Sequence, residues 1–159
     1  DFNTWETTPS GFLGGMPLAM AVGLGDQTLP AAAGLRPWPA SRVILTDARD
    51  LDPGERINVA GSGITHLPTI EQLLIPGQLP PGPLYVHFDA DIIDPAEASA
   101  MNYPAAGGPS SETVRDVLRT LAATDRVAAV SVSLWEPALD PDRITEAVVQ
   151  GALNALLGR

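Results

Sequence analysis

Cysteine is missing from this chain of 159 residues. That excludes a disulfide framework, a zinc–thiolate site and a thiol nucleophile. Lysine is missing too. All nine cations are arginine, against nineteen acids, for a formal net charge of −10. So acidic a chain is unsuited to the phosphate backbone of nucleic acid or to an anionic membrane surface. No apolar run is long enough to span a bilayer. Histidine occurs only twice, as His66 and His87. What is plentiful is glycine and proline, 15 and 16 residues, beside an ordinary apolar share. Many turns, rather than disorder, are expected. The length suits one domain with a real core.

The most informative stretch is Leu84-Tyr85-Val86-His87-Phe88-Asp89-Ala90-Asp91-Ile92-Ile93-Asp94-Pro95. Its β-forming run reads as a buried strand, and Asp94-Pro95 ends it. In open α/β sheets, ligands lie beyond the carboxyl ends of strands. Residues two apart on an extended chain point the same way, so Asp89 and Asp91 are expected to face one cavity. Two anions side by side repel unless a cation lies between them. A divalent metal pair is therefore the natural occupant. The plainer alternative is a capping aspartate, which for a single Asp is the better reading.

Elsewhere, residues 1–11 read as a turn-rich loop, and chain is expected upstream of it. Residues 16–23 form a short buried helix entered at Pro17, and 25–40 a surface connection. Residues 42–48 read as a strand. Asp52, Pro53 and Glu55 then look like a helix start, with N-cap, first helical residue and capping box. Residues 64–67 suit a short strand and 68–75 a short helix. Residues 104–109 form a Gly-Gly loop, and Ser111 caps a helix carrying Val114, Val117, Leu118 and Leu121 at helical spacing. Residues 127–134 form a clear strand, and Trp135 to Asp140 its terminal loop. The final helix shows Ile144, Ala147, Val148, Gly151, Ala152, Ala155 and Leu156 on one face. Asp142 near its start and Arg159 at its end suit the dipole. His66 reads as structural, while His87 sits beside the acidic pair. Alternating strands and helices imply an α/β fold with a parallel sheet and right-handed crossovers.

In their order along the chain, several pieces resemble the arginase branch of the ureohydrolase (arginase/agmatinase) family. They are Asp1-Phe2-Asn3-Thr4, Thr8-Pro9-Ser10-Gly11, Gly15-Met16-Pro17-Leu18-Ala19, Arg49-Asp50-Leu51-Asp52-Pro53-Gly54-Glu55, Asp89-x-Asp91-x-x-Asp94-Pro95, the loop from Pro104 to Gly108, and Pro137-Ala138-Leu139-Asp140. The resemblance implies a three-layer α/β/α fold with a mostly parallel sheet, here incomplete on its N-terminal side, the whole chain being the C-terminal part of one domain. It also implies two manganese ions. Asp1 would bind one, Asp91 the other, and Asp89 would bridge them, with the remaining ligands upstream of Asp1. Carboxylate-rich sites suit Mn²⁺ on hardness alone.

The implied reaction is hydrolysis of a linear guanidino or amidino C–N bond, releasing urea, by a metal-activated hydroxide. Asn3 and Ser10 match positions that hold the substrate carboxylate. Asp52 and Glu55 match positions near its amino group. Four departures stand against plain arginase. Phe12 replaces an Asn that helps hold the carboxylate, and Gly14 replaces a His proposed as a proton shuttle. Ser131 and Leu134 stand where the family carries Asp and then Glu, the latter receiving the guanidinium. Glu136, two residues beyond Leu134, is on the same side of an extended strand and becomes the candidate catalytic carboxylate. These changes keep open an agmatinase or guanidinobutyrase-type sister activity and a catalytically silent subunit. The resemblance further implies a cytoplasmic homo-oligomer, trimer or hexamer. It also implies that the absent half of the domain lies beside this one, covering an unpaired sheet edge and exposed apolar surface.

Overall fold

From Ile44 onward, strands and helices largely alternate along the chain. A computed structural model describes residues 1–158, which divide into two units, Asp1–Leu67 and the residues from Pro68 onward.

In the first unit, helices α1 (Pro17–Ala21) and α2 (Thr28–Ala32) precede strand β1 (Ile44–Thr46). Helix α3 (Pro53–Ser62) and strand β2 (Thr65–Leu67) follow. β1 and β2 pair in parallel, so α3 is the crossover between them. Helix α2 lies inside the stretch expected to be a plain connection; its five residues bury nothing. The core is small. Phe2, Ala19, Leu51 and Val59 are buried together, with Leu18, Val22 and Leu45 against them. The expected start of α3 is present. Asp52 is extended, Pro53 is the first helical residue, and Asp52 and Glu55 form a reciprocal capping box. Gly63, at φ 81°, closes the helix in the left-handed region that glycine tolerates best.

The second unit contains β3 (Leu84–Asp89), α4 (Ser111–Ala122), β4 (Val127–Ser133) and α5 (Ile144–Leu156). β3 and β4 pair in parallel, with His87 opposite Ser131 and Asp89 opposite Ser133. Helix α4 buries Val114, Val117, Leu118 and Leu121, the stripe read from the sequence. They pack with Phe88, Ile93, Met101, Val149, Ala152 and Leu156 in the larger core. Residues 68–75 contain the expected short helix, which is the 3-10 helix Ile70–Leu74.

One helix start differs from expectation. The cap of α4 is Ser110, not Ser111. Ser110 is extended and its Oγ accepts from the Thr113 N–H at 3.1 Å, while the Ser111 N–H donates to Glu97. Helix α5 is capped by Asp140, which accepts from the N–H groups of Thr145 and Glu146 at 3.1 and 2.7 Å; Asp142 is exposed. Thr145, Val149, Ala152, Ala155 and Leu156 are buried, whereas Ile144 and Ala147, expected on the inner face, are exposed. Arg159 lies outside the described residues.

Among the described residues, β3 and β4 pair only with each other. A groove of about 460 Å³ runs along β4, lined by residues 127–132 with Leu153 and Leu157. Among the described residues no helix is long and apolar enough to cross a membrane.

Candidate metal and substrate site

Strand β3 delivers Asp89 as its last residue. Apolar Leu84 and Phe88 on one face are buried against the core; Tyr85, His87 and Asp89 share the other face by the two-residue period. Asp89 Oδ1 is buried and has no hydrogen-bond partner among the described residues. Burial raises the Asp89 carboxyl above its ordinary range, against the opposing pull of His87 and Ser133. His87 Nε2 lies 4.0 Å from Asp89 Oδ2. The imidazole is held from both sides, Nδ1 2.7 Å from Ser131 Oγ and Nε2 3.2 Å from Ser133 Oγ.

The chain does not stay extended beyond Asp89. Ala90–Ile92 is a 3-10 turn, so Asp91 leaves the strand before its side chain is set. The alternation argument that put both carboxylates on one side therefore stops at Asp89; Asp91 is adjacent to it through the turn. Asp94 serves the loop. Its Oδ1 accepts from the Ala96 N–H at 2.9 Å and its N–H donates to Pro109 O at 3.0 Å.

Glu136 also departs from the expected geometry. Strand β4 ends at Ser133, and Leu134 takes φ 61° in the left-handed region. That kink removes the extended path placing Glu136 on the side of Leu134. The Glu136 carboxylate instead accepts from the Ala138 N–H at 3.0 Å and caps the 3-10 turn Pro137–Leu139. Its N–H donates to Ala100 O at 2.9 Å, tying the closing loop to the loop after β3.

The first unit holds the other candidates. Asp1 is exposed, with Oδ2 only 2.9 Å from where a β-carbon on Gly15 would stand; the glycine leaves room for that carboxylate. Asn3 is buried. Its Nδ2 donates to Asp52 Oδ2 at 3.2 Å and its Oδ1 accepts from the Thr7 hydroxyl at 2.9 Å. Glu55 is 1% exposed and both carboxylate oxygens are occupied, one by the Phe2 N–H and one by the Asp52 N–H at 2.9 Å. Glu55 thus clamps residues 2 and 52 and offers no oxygen to solvent; this geometry is that of a support for Asn3 and Asp52. Ser10 is exposed, its Oγ accepting from the Phe12 N–H at 3.1 Å.

The departures Phe12 and Gly14 are physically linked. A β-carbon at Gly14 would stand 2.4 Å from Phe12 Cε1. The ring occupies the space a side chain at position 14 needs.

Among the described residues no three His, Cys, Asp or Glu side chains gather as a metal cage. The second unit nonetheless fits a share of a hard-cation site. It offers two neighbouring carboxylates and a buried oxygen whose lone pairs lack a partner, and carboxylate oxygens suit Mn²⁺ or Mg²⁺ better than softer ions. Sequence reasoning missed Tyr85 and Ser133 around His87 and named Ser131 only as a departure from the family. Their signal was present in the two-residue period of two strands, but it needed the pairing register to be read.

The Arginase family model matches residues 1–158. The chain is 33% identical over 150 residues to an N(omega)-hydroxy-L-arginine amidinohydrolase of Streptomyces lavendulae, covering 93% of this chain and 52% of that protein. It is 30% identical to an arginase of Brevibacillus brevis, covering 99% and 57%. Among solved structures, arginase from Bacillus caldovelox superposes with a TM-score of 0.88 at 27% identity, over 99% of this chain and 56% of that one. Arginase from Bacillus subtilis gives 0.87 at 27% identity, over 99% and 58%. The parallel α/β fold expected from the sequence is thus that of these structures, present in part. The chain spans about half the length of the curated relatives it matches.

Proposed function

The chain belongs to the arginase family, and on that footing we propose that its protein hydrolyses a C–N bond of a linear guanidino or amidino compound and releases urea. The observation that carries the proposal is the carboxyl end of β3, where Asp89 keeps a buried oxygen without a partner and Asp91 follows in the next turn. Asp89 and Asp91 would hold part of a two-manganese centre. A bound divalent pair supplies Lewis acidity and a nucleophile at neutral pH. Asn3, held by Asp52 and Thr7, and Ser10 would orient the substrate's polar end, and Glu55 would keep Asn3 and Asp52 in place. A trimer or hexamer is proposed by analogy with the family.

The Phe12 ring over Gly14 favours a second reading of specificity. It puts an exposed apolar surface where the family carries polar groups for an amino-acid carboxylate. Agmatine or a guanidino acid then competes with arginine, and the Streptomyces relative's name adds N-hydroxyarginine. A urea-release screen across these compounds, with metal content measured on the same protein, tests both readings. We expect bound manganese and turnover of at least one guanidino compound. A metal-free, inert protein would discard the hydrolase and leave the silent subunit, to which Leu134 already points.

A further inference from the structure

We propose that Thr7 is a positioning residue for the polar end of the substrate. Its hydroxyl fixes the Asn3 carboxamide so that Nδ2 faces Asp52, and the bare Gly54 makes room for it. That role rests on the reading of Asn3 and Asp52 as groups beside the substrate's polar end, and it names the side chain that sets their relative orientation.

Thr7 lies where a turn, a buried amide and a helix meet. The turn is closed twice: the Thr7 N–H donates to Thr4 O at 3.1 Å, and the Thr4 N–H donates to Thr7 Oγ1 at 2.9 Å. The Thr7 hydroxyl is in turn 2.9 Å from Asn3 Oδ1. At the other end of the same carboxamide, Nδ2 donates to Asp52 Oδ2 at 3.2 Å. Helix α3 leaves the space for this arrangement. A β-carbon on Gly54 would stand 2.9 Å from both Cβ and Cγ2 of Thr7, so any side chain at position 54 pushes Thr7 from its place.

Counting protons gives the direction. The two ends of a carboxamide are nearly alike in shape and differ in that one donates and the other accepts. An ionised carboxylate only accepts, so the nitrogen belongs beside Asp52 and the oxygen is left facing Thr7. The threonine hydroxyl has one proton. Its other acceptor, Thr4 O, is 3.5 Å away and already accepts from the N–H groups of Thr7 and Thr8. The proton therefore goes to Asn3 Oδ1. Asn3 is 5% exposed, so bulk water does not replace a donor lost there. Without the hydroxyl the carboxamide turns, and Asp52, whose carboxylate also takes the Glu55 N–H, keeps its helix contact but loses Asn3.

The test uses the whole protein with nitrogen-15 in its asparagine side chains, the Asn3 signals being assigned through its own backbone. We expect the Asn3 Nδ2 hydrogens to exchange slowly in wild type and in Thr7→Ser, and at least about tenfold faster in Thr7→Val and Gly54→Ala. Equal exchange in wild type and Thr7→Val refutes the hold on Asn3. KM and kcat for urea release are read on the same proteins with L-arginine, agmatine, guanidinobutyrate and N-hydroxy-L-arginine. For the compounds turned over, Thr7→Val should raise KM about tenfold while kcat changes by less than about twofold, and Thr7→Ser should restore KM. A fall in kcat at unchanged KM overturns the role at the polar end. A wild type that turns over none of the four discards the hydrolase reading and the substrate role with it, while the amide exchange still decides whether Thr7 holds Asn3.

Discussion

The two units are held together by different means. The second has a broad apolar core in which the α4 stripe meets Phe88, Ile93 and the inner face of α5. The first has a smaller apolar cluster around Phe2, Ala19, Leu51 and Val59 and adds hydrogen bonds to a buried acid. Glu55 ties Phe2 to Asp52, and Asn3 is locked by Asp52 and Thr7. Apolar packing tolerates modest change of shape, but a buried carboxylate holding two amides does not tolerate its own removal. Polar clamps of this kind keep loops such as residues 1–11 in defined positions, which suits residues expected to meet a polar substrate.

The contrast is broken most directly by one truncation in each unit. Leu118→Ala should cost about 3 kcal/mol, the usual range for a fully buried leucine, and lower the cooperative unfolding midpoint in denaturant. Glu55→Ala should cost about 2 kcal/mol, through two amides left unsatisfied. Its loss should be local, with hydrogen exchange accelerating at Phe2 and Asp52 before the amides of α4 change. Were Glu55→Ala to leave those two amides protected, the polar account of the first unit would be wrong.

The next effect sharpens the comparison inside the first unit. Gly14→His in the presence of Phe12 forces the ring to move, because a β-carbon there overlaps it. Phe12 is exposed enough to swing away, so the single change should be mildly destabilising. Paired with Phe12→Asn the penalty should vanish, a coupling of about 1 kcal/mol in a double-mutant cycle. Additive effects would show that the two departures arose independently. In the second unit, Leu134→Gly and Leu134→Ala lose the same packing, but only glycine relieves the left-handed backbone. The glycine variant should be the more stable by about 1 kcal/mol in equilibrium denaturation.

Much of this architecture was legible because it follows from period. The α4 stripe, the strand over residues 127–133 and the Asp52–Glu55 helix start all rest on local patterns that packing did not override. What could not be read depends on where the chain stops being regular. Asp91 and Glu136 were placed by assuming extended chain past Asp89 and Leu134; a 3-10 turn and a left-handed residue intervene. Nothing in the residue types announces either, since Ala-Asp-Ile is compatible with both conformations and leucine disfavours the one it takes. The face of α5 was read in part: Ala152, Ala155 and Leu156 are buried as expected, whereas Ile144 and Ala147 in its first turn are exposed. The link between Phe12 and Gly14 is a tertiary contact that spacing alone cannot show.

The smallest effect compares two aspartates of the second unit that respond to acid with opposite sign. Burial would raise the Asp140 carboxyl, but the N–H groups of Glu146 and Thr145 and the Trp135 indole outweigh it, holding the group below its ordinary value. Its contribution is present above the unfolded value, about 3.9, and is lost as pH falls through the lower folded value. Asp89 is raised, chiefly by burial. In metal-free protein its charged form therefore opposes folding at neutral pH, and stability is gained as pH falls through the folded value toward about 3.9. Asp89→Asn should thus raise the melting temperature at pH 7 and remove the gain on mild acidification, while Asp140→Asn should flatten the loss below about pH 4. Melting curves of the two variants and wild type between pH 3 and 7 give both slopes. A wild type whose stability only falls from pH 7 downward, unchanged in shape by Asp89→Asn, would mean that the carboxylate is already satisfied, and the unpartnered oxygen that motivates the cation site would lose its significance.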